Sequence, residues 1–175
     1  MTTEGGGWTV IQKRIDGSTD FYKTWEEYKN GFGDPCKNYW IGNDAIHTLT
    51  KTKNQVLSVG LQSFDCDETR VLYYTFAVGD RENNYNLTVS DFTGSARDSF
   101  SPHNGMMFST WDRDYDTIYL NCAESYHGGW WYNNCYDSNL NGKYPGSAQN
   151  GGKFMIWNGW KYQALKGSLM MVKPK

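Results

Sequence analysis

Apolar and polar residues alternate at the start of the chain. Trp8, Val10 and Gln12 alternate with Thr9, Ile11 and Lys13 after the glycines at 5–7, the period-two pattern of a strand. Thr24-Trp25-Glu26-Glu27 is a capping box opening a short helix. Trp25, Tyr28 and Phe32 then fall at i, i+3 and i+7 on one apolar face, and Gly31 and Gly33 end the helix. Asn43 is placed to cap a second helix, with Ile46 and Leu49 facing inward. Leu57, Val59 and Leu61 alternate with Ser58, Gly60 and Gln62, and 71–78 and 85–92 read as two further strands. Short helices mixed with strands of antiparallel character predict an α+β fold.

From about residue 94 to about 165 the periodicity disappears, and Gly, Asn, Ser, Asp and Trp dominate. A compact domain does not carry an idle loop of that length. Without a regular hydrogen-bond ladder the region needs another means of fixing its backbone, and a disulfide and a metal ion are the usual ones. The 175 residues are expected to form one domain, with a sheet-and-helix part over 1–93 and the irregular part after it. A net charge of -2 gives no basic field for nucleic acid or anionic membrane. No apolar run approaches spanning length, so membrane insertion is not expected. The first residues have neither the basic start nor the apolar core of a signal peptide. Four cysteines in a sequence with 17% aromatic residues fit an oxidised, secreted protein. Asn86-Leu87-Thr88 is an N-glycosylation sequon and agrees with that reading.

The chemistry concentrates between Phe108 and Cys135. Asp112, Asp114 and Asp116 alternate ahead of Cys122 and Cys135, with Trp130-Trp131 between those cysteines. Carboxylates in this pattern suit Ca²⁺, which takes six to eight oxygens in irregular geometry. An EF-hand is excluded, because its sixth and twelfth positions would be Thr117 and Ala123 in place of Gly and Glu. None of the four cysteines forms C-x-x-C or has a histidine at zinc spacing, and they allow three pairings. Trp130 and Trp131 read as core beneath the aspartate loop, and His47 and His103 as structural. There is no G-x-S-x-G, H-E-x-x-H or glycine-rich phosphate loop, so the residues point to binding and not to catalysis.

Several segments carry a family resemblance: Gly-Gly-Trp8 through Gly17-Ser18, Phe21-Tyr22 through Gly33, Tyr39 through Asn43, His103-Asn-Gly-Met through Phe108-Ser-Thr, the 112–142 block, Asn139 through Tyr144, and Met170 through Pro174. The sequence resembles a fibrinogen C-terminal (fibrinogen-related) domain from Gly5 to its end. Relative to that family it is expected to lack the N-terminal segment with its own disulfide. The resemblance implies a central antiparallel sheet with short helices, plus an irregular subdomain that binds calcium and ligand.

It also implies residue roles. Ca²⁺ would be held by the carboxylates of Asp114 and Asp116 and the carbonyls of Ile118 and Leu120, with Asp112 in the outer sphere. Cys122 would pair with Cys135. Cys36 and Cys66, outside the family's common set, would form an extra bridge. A cis peptide is expected at Asn134–Cys135. It would help turn the N–H groups of Cys135 and Tyr136 into a pocket for an acetyl group walled by Tyr126. The ligand site is therefore expected around Tyr126, His127, Asn134, Cys135 and Tyr136. Two departures stand out: Tyr136 occupies the usual histidine position, and Gln163 replaces a second tyrosine wall. The function implied is that of a secreted innate-defence lectin binding glycans or acetylated groups on microbes, a multimer in its full-length parent. The alternative is a protein- or receptor-binding module of growth-factor-like or matrix type.

Overall fold

The structure is a computed structural model and describes residues 7–175; Gly5 and Gly6, at the start of the first patterned run, lie outside it. Nine strands and three α-helices occur among the described residues: β1 (Thr9–Arg14), α1 (Trp25–Asn30), β2 (Phe32–Gly33), β3 (Tyr39–Trp40), α2 (Asn43–Thr50), β4 (Gln55–Gln62), β5 (Glu68–Val78), β6 (Leu87–Gly94), α3 (Cys122–Tyr126), β7 (Ser138–Asn139), β8 (Ile156–Trp157) and β9 (Gly167–Pro174). Seven strands make one antiparallel sheet in the order β2-β3-β1-β9-β4-β5-β6. The last strand is inserted at its centre: Val172 of β9 faces Thr9 of β1 on one side and Leu57 of β4 on the other.

The capping box forms as the pattern predicts, with Thr24 accepting from the Glu27 N–H and the Glu27 carboxylate accepting from the Thr24 N–H. Asn43 is a correction. Gly42, at φ 109°, precedes the helix, and Asn43 is its first residue. Its carboxamide oxygen is drawn inward to accept from the Trp40 indole N–H, so it has no side chain left for capping. The strand predicted over 85–92 starts later, at Leu87, because Tyr85 is in a left-handed conformation with its hydroxyl on Asp44. In β4 Ser58 is buried with its apolar neighbours Leu57 and Val59. Asn86 of the sequon is half-buried, its carboxamide oxygen against Gly79.

The second expected disulfide is also corrected. Cys36 and Cys66 are exposed free thiols. They sit in the turns of the β2–β3 and β4–β5 hairpins, with β1 and β9 between those hairpins. Three strand spacings, roughly 14 Å, separate them, whereas a disulfide needs Cα atoms within about 7 Å.

The core is aromatic. Trp25, Tyr28, Trp40, Phe108 and Trp131 are all buried, and Phe108 has ring centroids of the other four within 6.3 Å. Gly129 touches the Tyr28 ring; a Cβ there would lie 2.6 Å from the nearest ring carbon. Gly146, by contrast, faces open space. Gly129→Ala is expected to lose about 1–3 kcal/mol of stability by overpacking, and Gly146→Ala to stay within about 0.5 kcal/mol. Urea unfolding of the two variants checks the contrast; equal midpoints would refute it.

Candidate functional site

Side chains reaching across from the sheet organise the irregular part. Gln12 of β1 donates to the Leu140 carbonyl and the Asn141 carboxamide oxygen, and Arg14 donates to the Leu140 and Gly142 carbonyls. Trp131 donates from its indole to the Tyr85 carbonyl. His103, at the end of a short 3₁₀ turn, is bonded on both ring nitrogens. Nδ1–H donates to the Trp131 carbonyl at 2.8 Å, and Nε2 accepts from the N–H groups of Asp137 at 3.0 Å and Ser138 at 3.2 Å. That pattern requires the neutral imidazole. Burial pushes its pKa below the ordinary value, against smaller opposing effects of the Trp131 carbonyl, Asp137 and Asp98.

Cys122 and Cys135 are joined, with Cα atoms 5.6 Å apart. Asn121 caps α3 by accepting from the Glu124 N–H, and α3 ends at His127 in a left-handed conformation. Tyr126 and Tyr136 meet edge to face at 4.9 Å, and Tyr136 donates its hydroxyl to the Gly152 carbonyl. Burial, and then the Tyr126 hydroxyl, raise the Tyr136 phenol to about 12, so it remains a neutral donor. A Cβ on Gly152 would lie 2.7 Å from Tyr126 and 2.9 Å from the Tyr136 oxygen. The larger side chain at the histidine position therefore fills space beside Tyr126.

The Asn134–Cys135 peptide is trans, not cis. The turn is instead closed by the Asn133 N–H donating to the Cys135 carbonyl. The N–H groups of Cys135 and Tyr136 donate to no acceptor among the described residues. Of the five expected ligand residues, Tyr126, Asn134, Cys135 and Tyr136 lie together. His127 does not join them: its ring stacks on Tyr22 at 5.2 Å. Gln163 turns to the Asp65 carboxylate in the β4–β5 turn.

The three aspartates divide their work. Asp112 accepts from the Trp25 N–H and the Thr110 hydroxyl, tying the loop to the start of α1. Asp114 accepts from the Asp116 N–H. Asp116 accepts from the N–H groups of Ile118 and Cys122. Burial, together with the adjoining Asp114 carboxylate, pushes Asp116 above the usual carboxylate range. Two carboxylates crowded together, neither in an ion pair among the described residues, fit a divalent ion, which would remove their repulsion. No cluster of three or more His, Cys, Asp or Glu side chains is arranged for a metal among the described residues. An ion here would take two carboxylates and complete its shell with backbone oxygens and water, a donor set suited to Ca²⁺.

The sequence reading missed the outward side chains of this loop. Trp111, Tyr115, Tyr119 and Leu120 are all exposed, Tyr119 completely and Leu120 at 63%. The available signal was Tyr119-Leu120, an apolar pair in a hydrophilic stretch with no periodic partners.

With sheet order, aspartate loop and disulfide-closed loop all placed, the class is that of a fibrinogen-like globe. The family model for the C-terminal globular domain of the fibrinogen beta and gamma chains matches residues 1–175, and the protein belongs to that family. It is 45% identical over 184 residues to fibrinogen C domain-containing protein 1-B of Xenopus laevis, an overlap of 100% of this sequence and 40% of that protein. It thus spans about 40% of the length of the first curated relatives it matches. The fibrinogen-like globe domain of human ANGPTL2 superposes with a TM-score of 0.95 at 38% identity, over 98% of this chain and 82% of that one. Lamprey fibrin D-dimer complexed with the peptide ligand Gly-His-Arg-Pro-amide superposes at 0.93 with 32% identity, over 99% of this chain and 63% of that one. Among the described residues no helix is long and apolar enough to cross a membrane.

The His103 arrangement yields a pH prediction. The unfolded chain takes up a proton near the ordinary imidazole pKa of about 6.5, while the folded protein, with its pKa lowered, does not. The unfolded state then binds more protons, so stability is full above about pH 6.5 and is lost as pH falls below it. His103→Gln, which cannot titrate, is expected to be less stable by roughly 2–4 kcal/mol at neutral pH. It should also show a flatter pH dependence between about pH 7 and about pH 5. Urea midpoints across that range provide the check; parallel curves for both proteins would refute the assignment.

Proposed function

We propose that this protein is a calcium-stabilised extracellular recognition module that docks a protein partner. The docking end is formed by the 111–120 loop and the Cys122–Cys135 loop. The observation that carries this reading is the apolar surface of Trp111, Tyr115, Tyr119 and Leu120 on a loop anchored at its base by Asp112 and Asp116. Aromatic and aliphatic side chains grouped on a preorganised surface are what protein interfaces use as anchors, and ordering them beforehand lowers the entropic cost of binding. The lamprey relative's peptide ligand supports a fold able to receive polypeptide. Asp114 and Asp116, with the carbonyls of Ile118 and Leu120, would hold the Ca²⁺, which supplies positive charge to pin the loop. A single site of this size is weak, so the parent protein would present several copies.

A lectin role is the second reading. The unengaged N–H groups of Cys135 and Tyr136 beside Tyr126 favour it, since such a pair can receive a carbonyl oxygen. Arrays of extracellular receptor ectodomains and of glycans, each probed with and without EDTA, separate the two. The docking reading expects ectodomain binding that weakens roughly tenfold or more in the Tyr119→Ser, Leu120→Ser double variant. EDTA should both reduce that binding and lower the Tm of the calcium-loaded protein. Glycan signals that vanish in Tyr126→Ala and survive the double variant would overturn it in favour of the lectin.

A further inference from the structure

Arg14 is fully buried, yet no carboxylate lies within ion-pair distance of it among the described residues. Its Nη1 is committed to the Leu140 and Gly142 carbonyls, its guanidinium lies 3.8 Å over the Phe21 ring, and its Nε has no partner. Burial lowers its pKa to about 10, partly offset by Tyr28, Tyr144 and Asp20. A buried charge without a counter-ion is costly, and an anion brought to it recovers part of that cost.

Arg14 lines a cleft of about 370 Å³. Lys143, exposed and in no ion pair among the described residues, stands at the same cleft. Tyr22 and His127, stacked on one another, form part of its wall, and Trp111 extends that aromatic row at 6.1 Å from Tyr22. His127 Nδ1 is buried and also has no partner. Asp20, whose carboxylate accepts from the Tyr22 N–H, and Thr19 add polar oxygens at the rim.

We propose that this cleft is a second binding subsite, separate from the Tyr126–Tyr136 group, that takes a carboxylate or sulfate carried on a sugar ring. The anionic group sits toward Lys143 and the Arg14 charge. Ring hydroxyls reach Asp20 and Thr19, and the ring face lies along the aromatic row in which Tyr22 contacts both Trp111 and His127. Two cations against one carboxylate favour a single anionic group, and the aromatic row favours a flat, hydroxylated body over an extended acidic peptide. The volume suits one or two sugar units. This inference does not rest on the docking surface proposed above.

Calorimetric titration of the whole protein with glucose, glucuronate, glucose 6-sulfate and an oligoglutamate peptide tests it. The two acidic sugars are expected to bind at least roughly tenfold more tightly than glucose, the increment of one charge-assisted hydrogen bond. Their ranking tells carboxylate from sulfate. Lys143→Gln, on the surface, should remove most of that preference. Asp20→Asn keeps an oxygen for the Tyr22 N–H and removes the opposing charge, so it should tighten binding of acidic sugar, a gain that misfolding cannot produce. Acidic sugars binding no better than glucose would overturn the subsite. So would affinities unchanged in both variants, or binding of oligoglutamate alone. The Tyr119→Ser, Leu120→Ser variant should leave acidic-sugar binding intact, which keeps this result independent of the protein-docking one.

Discussion

His103 is bonded on both ring nitrogens, and the 94–165 region depends on that contact more than on any ladder of its own. One nitrogen holds the carbonyl of Trp131, in the middle of the aromatic core; the other holds two successive N–H groups at Asp137 and Ser138, just after the disulfide. The segment between them contains the Asn134–Cys135 turn. An irregular backbone leaves peptide groups unpaired, and buried unpaired groups cost free energy comparable to a lost hydrogen bond. Here the deficit is met by side chains: His103, Gln12, Arg14, Asn139 and Asn141 each reach backbone atoms far away in sequence or across a turn.

The disulfide and the aspartate loop act on the same segment from the other side. Asp116 accepts from the N–H of Cys122, so the carboxylate that would carry the metal also positions the first half-cystine. The Thr117 N–H donates to the Asn133 carbonyl, joining the aspartate loop directly to the turn before Cys135. Aspartate loop, disulfide and turn therefore form one mechanical unit. In the reading proposed above, a cation in the loop would influence a ligand at Tyr126 or Tyr119 by fixing that unit, without touching the ligand.

How much of this was legible in the sequence follows from how local each signal is. The Thr24 capping box and the strands carrying Leu57 and Val71 were legible, because their causes lie within a few residues. The cap of α2 was misread at Asn43 because the competing partner, the Trp40 indole, is a tertiary neighbour. The Cys36–Cys66 pairing followed from counting, whereas the insertion of β9 beside β1 keeps those thiols apart. His127 was grouped with Tyr126 by adjacency, yet the left-handed turn at the end of α3 sends its ring to Tyr22. Arg14 gave a signal that is clear only in retrospect: a bulge between Val10 and Gln12 shifts the register of β1, and Gln12 and Arg14 are then buried, two polar residues where a core strand expects apolar ones. Membership of the fibrinogen-related family was legible from whole motifs, while the orientation of single side groups within them was not.

The central claim is that buried side chains, His103 foremost, hold the irregular half as firmly as the sheet holds the other. Native-state hydrogen exchange tests it most directly, at the amides of Asp137 and Ser138. Asp137 lies outside any helix or strand and Ser138 opens the two-residue β7, and the imidazole is the acceptor of both N–H groups. The account predicts that they exchange slowly, through the same opening that exposes the amides of β4 and β9. Exchange as fast as at an exposed turn would contradict it.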